Sequence, residues 1–487
     1  MNRTRLTHGA CALMIPLLLA GCVVGPNYRP PGPATLGMPV NYAPPVTEVP
    51  ASPHAGAEAA PSAVELATWW RQFDDPLLTD LIARATAGNL QIAQSLARLA
   101  EAREARVQAG ADLLPTLNGS AGAGQNVTRA GGTSSSSTQL SVGADASWQA
   151  DLFGGLRRGV EAARAEELAS LFDLEGVRTS IAGEVATNYI DARLAQARLV
   201  IAHSTLSTQD DNLQIARWRV QAGLVSSLDV EQARAQRAQT AASIPGLETS
   251  YLQAVARLGT LTGQAPGALR GEMETAQPIP RGPEAIAVGI PADMLRRRPD
   301  VRSAERQLAA ATARIGVAKA ALFPALSISG NINTDAASIG NLGSLLTGGL
   351  FATITHAIFD AGKRKSQVRS ARAGADLAFA NYKQTVLSGL EDVENAVQSL
   401  QAAKARQAQL AIAVEASNNA AVYARSQYRS GLIDFLSLLQ SEQALLSARD
   451  QLASAEADQA LALVRLYLAL GGGWQPQPTI PNGFRHE

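Results

Sequence analysis

The sequence predicts a mixed α+β membrane protein in which strands join a shared β-barrel and long helices continue from it. Three observations carry this. The chain contains an internal repeat, two proline-free helical stretches of exceptional length, and in each half a stretch of strict apolar–polar alternation with a partner strand beside it. Alternation marks strands with two unlike faces, and a 3.6-residue period marks helices.

The repeat comes first, because it organises the rest. Gly223-Leu224-Val225 recurs as Gly431-Leu432-Ile433, 208 residues on. Leu228 and Leu436, Gln232 and Gln440, Arg257-Leu258 and Arg465-Leu466, and Gly263 and Gly471 keep the same spacing. Upstream, Pro115 and Pro324 are 209 apart, and Leu152-Phe153 and Ile358-Phe359 are 206 apart. An ordered set whose offset drifts only across loops is the trace of one duplication. The expected organisation is residues 1–21 as a signal segment, 22–64 as an extended arm, 65–265 as repeat 1 and 266–487 as repeat 2.

At the N-terminus, Arg3 and Arg5 precede an apolar run from Ala10 to Ala20, which fits a secretory signal and is too short to span a bilayer. It ends in Leu19-Ala20-Gly21-Cys22, which resembles the bacterial lipobox. That resemblance implies cleavage before Cys22 and a lipid on its thiol, the one covalent group expected; no other cofactor is. Removal of residues 1–21 leaves 466 residues. It takes two arginines and no acid from 42 basic and 42 acidic residues, for a net charge of −2. A balance so near neutrality argues against a nucleic-acid partner. With Cys11 removed and Cys22 lipidated, no disulfide is left to form.

Candidate chemistry is sparse. His8, His54, His203, His356 and His486 are dispersed, with no metal-ligand spacing among them. There is no Walker-type loop and no Gly-x-Ser-x-Gly elbow, and an enzyme is not expected. Met38, Met273 and Met294 offer no thioether relay. Asp74-Asp75 before Pro76 reads as a helix start, with acids at the positive end of the dipole.

From Val23 to about Ala63 the chain is rich in Pro, Ala and Gly, an extended arm. The body begins at Thr68-Trp69-Trp70. Leu77–Asp112 has helical spacing and stops at Pro115. A strand is expected over Leu117–Val127, a Gly/Ser-rich loop over Ala130–Ser137, and a second strand over Leu140–Gln149. In the second repeat a helix over Ala292–Ala321 leads to strands over Leu326–Asn333 and about Leu350–Ile358. Gly155–Ala222 and Gly362–Ser430 then read as helices, each about 100 Å at 1.5 Å per residue. Each reverses at a glycine and returns through Leu228–Thr262 or Asp434–Leu470.

Four strands cannot close a barrel, and open edges in lipid leave backbone groups unpaired at several kcal/mol each. Several chains must therefore share one. Two copies give a small filled barrel; three give twelve strands and a lumen. The rows of Ser, Asn and Gln with Asp145 favour the wetter option.

The residues also resemble a known family, the outer-membrane factors of the TolC/OprM type, nearest the NodT-like efflux lipoprotein branch. The strings that carry the resemblance are Trp69–Leu77, Asp151–Gly154, Ile290–Arg302 and Phe359–Arg364. It implies a homotrimer with a twelve-stranded outer-membrane β-barrel, four strands per chain, continued by a long periplasmic α-helical barrel. It further implies a passive efflux channel that joins a periplasmic adaptor (membrane fusion) protein and an inner-membrane RND-type pump, embedded in outer-membrane lipid. Gly223, Leu224, Val225, Ser226, Gly431, Leu432 and Ile433 would form adaptor-docking tips. Tyr428, Leu432, Leu436 and Gln440 would line the periplasmic gate. Where the pattern often has an Asp and then an Arg, this chain has Gln440 and Gln443, which weakens any charged gate. Alternatives are a type I secretion exit duct and a structural coiled-coil adaptor lipoprotein.

Overall fold

A computed structural model describes residues 23–36, 66–283 and 297–475. Cys22 and the signal segment lie outside the described residues. In order, the chain forms α1 (Pro76–Gly88), α2 (Leu90–Ala111), β1 (Thr116–Ala130), β2 (Thr133–Ala150), α3 (Gly155–Gln221) and α4 (Ser227–Leu261). Then follow α5 (Pro299–Ala320), β3 (Ala325–Ala336), β4 (Leu346–Thr355), α6 (Lys363–Arg429) and α7 (Phe435–Ala469). Each long helix has 67 residues and each return helix 35, so the two halves match in length. No described helix is long and apolar enough to cross a membrane.

The chain divides into two compact units. The first comprises the described parts of residues 1–32, 97–172 and 302–384. It holds one antiparallel sheet in the order β1-β2-β3-β4. Alternation gives this sheet two faces. Asp145 stands opposite Asn331, Ser147 opposite Ser329 and Gln149 opposite Ser327, while Ala144 faces Ile332, Trp148 faces Ile328 and Ala150 faces Leu326. Asn118 donates from Nδ2 to Asp145 Oδ2 at 3.2 Å, which extends the polar face onto β1.

The strands run longer than expected at the turn ends, and β4 is shifted. No loop spans Ala130–Ser137, because Gly131 and Gly132 alone make the turn. Both take positive φ, +58° and +87°, as a two-residue primed turn requires, and its twist suits the strands so well that pairing runs out to Ala130 and Thr133. β4 ends at Thr355 rather than Ile358, because its partner β3 begins at Ala325, directly after Pro324. The start of the arm is also tied down. Val24 N–H donates to the Phe153 carbonyl at 3.1 Å, and the buried Arg158 guanidinium reaches Asn27 Oδ1 at 2.6 Å.

The second unit comprises the described parts of residues 33–96, 173–301 and 385–487. At its core Trp69 is fully buried, stacked on Tyr467 with ring centroids 5.7 Å apart and flanked edge-on by Trp70 and Phe73. Asp75 caps α1, accepting from Leu77 and Leu78 N–H at 3.0 Å, while its second oxygen accepts from the Tyr189 hydroxyl at 2.7 Å. The expected single helix over Leu77–Asp112 is broken at Asn89. There the Asn89 side chain caps α2, accepting from Gln91 N–H at 2.8 Å, and donates to the Leu261 carbonyl at 2.8 Å. α5 starts at Pro299, where proline suits a first helical turn; residues 292–296 lie outside the described residues.

Candidate functional site at the helical tips

Both long helices end in the same way. Gly223 takes φ +72°, its N–H bonds the Val220 carbonyl at 2.9 Å and Leu224 N–H bonds the Arg219 carbonyl at 2.9 Å. Gly431, at φ +73°, repeats this with Tyr428 at 3.0 Å, and Leu432 N–H bonds Gln427 at 2.9 Å. This is the Schellman stop, and the left-handed residue it needs costs any side chain about 1–2 kcal/mol, so glycine stands there twice. The return helices also start alike. Ser226 Oγ accepts from Leu228 N–H at 3.2 Å, and Asp434 Oδ1 accepts from Ser437 N–H at 2.9 Å. The Ser437 hydrogen bonds hold the Asp434 carboxyl below its ordinary range.

The predicted tip residues fall into two groups. Gly223, Leu224, Ser226, Gly431, Leu432, Leu436 and Gln440 are exposed, with Leu432 at 76% and Leu436 at 50%. Val225 and Ile433 are half-buried. Leu228, the counterpart of Leu436, is exposed as well, so the tips carry four outward leucines.

One expectation is corrected. Tyr428 does not stand beside Leu432 and Leu436 on a free surface; it is 1% exposed. Its ring packs 5.4 Å from Phe435, the Arg219 guanidinium lies 4.4 Å above it, and Arg219 Nη1 donates to the Tyr428 carbonyl at 2.6 Å. The chain's own hairpins cover its apolar area, which makes Tyr428 a strut under the turn. Burial also pushes its hydroxyl pKa up, with Arg219 opposing. Leu432 lies in the connection, because the Asp434 cap starts α7 at Phe435.

One polar cluster near the tips went unread in the sequence. Glu442 is buried on α7, accepts from Asn212 Nδ2 of α3 at 2.6 Å and from Arg425 Nε of α6 at 3.1 Å, and so joins three helices. The legible signal was its place in the stripe Phe435, Leu438, Glu442, Leu445, where every other member is apolar. Burial raises the Glu442 pKa, and the Asn212 bond and Arg425 oppose it. A carboxyl raised in the folded state binds its proton before the unfolded chain does, so this group adds stability as pH falls toward the ordinary carboxyl range and loses it as pH rises. Glu442→Gln keeps an acceptor for Asn212. The variant is expected to melt at or slightly above wild type at pH 8 and to lose the wild-type gain on acidification, read as thermal midpoint against pH. Gln443, beside it, accepts from Gln236 Nε2 at 2.6 Å.

The family described as outer membrane efflux protein matches residues 81–264 and again 290–472. Nodulation protein T of Rhizobium leguminosarum bv. trifolii is 32% identical over 468 residues, 94% of this chain and 96% of its own. The pyoverdine export outer membrane protein OpmQ of Pseudomonas putida is 31% identical over 483 residues, 96% and 97% of the two chains. The solved structure of the outer-membrane channel OprN superposes with a TM-score of 0.84 at 36% identity, over 93% of this chain and all of that one.

Proposed function

Because the chain belongs to the outer membrane efflux protein family, and is an outer-membrane channel of a tripartite efflux system that reaches into the periplasm, we propose that three copies share one barrel. The observation that carries this is the four-stranded sheet with β1 and β4 as open edges. In hydrocarbon each unpaired backbone group costs several kcal/mol, and three copies close twelve strands around a lumen lined by the Asp145, Asn331 and Gln149 face. The long helices would continue this ring as an α-barrel. Solute then moves passively, without catalysis.

The exposed Leu432 and Leu436 are the resting seal in this reading. The turns Gly223–Ser226 and Gly431–Ile433 are where a periplasmic adaptor docks and couples the duct to an inner-membrane RND-type pump. Purified protein in a planar bilayer should conduct in discrete steps and cross-link as a trimer. A species that stays monomeric, or a trimer that never conducts, refutes the shared barrel.

Cys22 is proposed to carry the lipid. Palmitate fed to cells should label the wild type and not Cys22→Ala. Label that persists in the variant sinks the assignment. Channel assembly should survive the loss in part, because the strands anchor the protein independently.

A further inference from the structure

Arg298-Pro299-Asp300, in the arginine-rich string, has a counterpart at Asn89-Leu90-Gln91, 209 residues upstream, the spacing that also separates Pro115 from Pro324. Both stand at the same kind of joint. Asn89 directly precedes α2 and donates from Nδ2 to the carbonyl of Leu261, the last residue of α4, at 2.8 Å. Arg298 directly precedes α5 and donates from Nη1 to the carbonyl of Ala469, the last residue of α7, at 3.2 Å. Leu261 and Ala469 are themselves 208 residues apart. Each return helix is followed by a left-handed glycine, Gly263 at φ +74° and Gly471 at φ +73°. A side chain on Gly263 would strike Gly88, and one on Gly471 would press on Arg298. In each repeat, then, an open carbonyl at a helix C-terminus is taken by a donor from a distant stretch of chain.

The two joints differ in what else they hold. The Asn89 amide is neutral, and α3 and α4 are tied to each other separately, Glu184 to Arg257 at 2.6 Å. The counterparts of that ion pair, 208 residues on, are Asp392 and Arg465. Asp392 is bonded to Arg298, whose Nη2 donates to its Oδ2 at 2.9 Å. The same guanidinium forks onto Asp300, Nε to Oδ1 at 3.1 Å and Nη2 to Oδ2 at 2.8 Å. The arginine side chain is only 11% exposed, and Gly389 of α6 clears its path, since a methyl group there would lie 3.3 Å from Nε. One planar cation thus joins α6, α7 and the start of α5, where the first repeat uses an amide and a separate ion pair. A lysine ammonium cannot reproduce that fork.

We propose that Arg298 is a positioning residue for the gate, clamping the root of the α6–α7 hairpin so that Leu432 and Leu436 keep their closed spacing, an inference that rests on the leucine seal proposed above. The lever is long. α7 has 35 residues and is about 52 Å long at 1.5 Å per residue, so one degree of tilt at its root carries its tip about 1 Å. A gap of about 0.5–1 Å already forfeits a quarter to a half of the attraction between packed atoms. Loss of Arg298 unties α6 from α7 at this joint, whereas loss of Asn89 leaves Glu184 and Arg257 paired.

Planar-bilayer recording of the full-length protein tests the clamp. Arg298→Ala should still cross-link as a trimer and should raise resting conductance several-fold. Arg298→Lys and Asp392→Asn should move it the same way by less, and they carry the test if the alanine variant does not assemble. Asn89→Ala should lower the thermal midpoint and keep conductance within about twofold of wild type, because the direct α3–α4 ion pair remains. Adding Arg298→Ala to Leu436→Ser should raise conductance little beyond Leu436→Ser alone, since both act on one seal. Wild-type conductance in Arg298→Ala, Arg298→Lys and Asp392→Asn, with Leu436→Ser conducting more, overturns the clamp and leaves the seal standing. An equal rise in Asn89→Ala, or a rise that multiplies in full with that of Leu436→Ser, overturns the positioning role as well. A rise in the Arg298 variants with none in Leu432→Ser or Leu436→Ser supports the clamp and overturns the leucine seal.

Discussion

Replacing Leu436 with serine is expected to raise the resting conductance of the reconstituted channel and to sensitise cells to large antibiotics. Leu436 stands exposed on the first turn of α7, with Leu432 in the connection before it, and threefold symmetry would bring three copies of each toward the axis. Burying a leucine side chain is worth about 1.5–3 kcal/mol, so one closed ring gains about 5–9 kcal/mol at most. A docking interface can offset a sum of that size, which lets the seal open without fuel of its own. Serine removes most of it. Leu432→Ser should act in the same direction, and Gln440→Ala should do much less, because an exposed neutral amide contributes no charge to the gate. Tyr428→Phe should leave conductance alone, since that ring is packed inside the chain. Wild-type conductance in both leucine variants would mean that the gate lies elsewhere.

Trp69→Ala should cost the largest single share of stability, about 3–5 kcal/mol, the range for removing a buried aromatic side chain. Trp69 is the centre of a stack that brings Trp70, Phe73 and Tyr467 together, which joins the start of the folded body to the last helix. Gly472 approaches the same ring so closely that a methyl group there would meet it. The thermal midpoint of the protein in detergent reads the effect. Trp69→Phe is expected to lose much less, because the indole N–H has no acceptor among the described residues and only ring area is given up. A midpoint for Trp69→Ala within a degree of wild type would show that the cluster closes over the gap.

The long helices were legible because their signals are local. Proline is absent for 67 residues in each, and the stop is a glycine whose backbone angle no other residue takes cheaply. The strands were legible from alternation, including which face carries Asp145. What escaped depends on contacts across long stretches of chain. Periodicity runs straight through Asn89, and the break there depends on a carbonyl 172 residues away. Tyr428 lies three residues before a tip glycine, yet Arg219, 209 residues upstream, caps its ring and takes its carbonyl. Glu442 was readable in principle, as the one acid in an apolar stripe. The length of the first strand pair was misread because a run of serines was taken for a loop, when the Gly131-Gly132 turn makes it strand.

That strand pair reaches past its neighbours. β2 pairs with β3 only as far as Leu140, while its pairing with β1 continues to Thr133, so the last turn of the hairpin stands clear of the rest of the sheet. In the proposed channel, whose helices lie on the periplasmic side, this turn would face out of the cell. All of Ala130–Ser136 is exposed. An epitope inserted between Gly131 and Gly132 would disturb no ladder shared with β3. It would give antibodies a handle on living cells, and with it a direct count of assembled ducts at the surface.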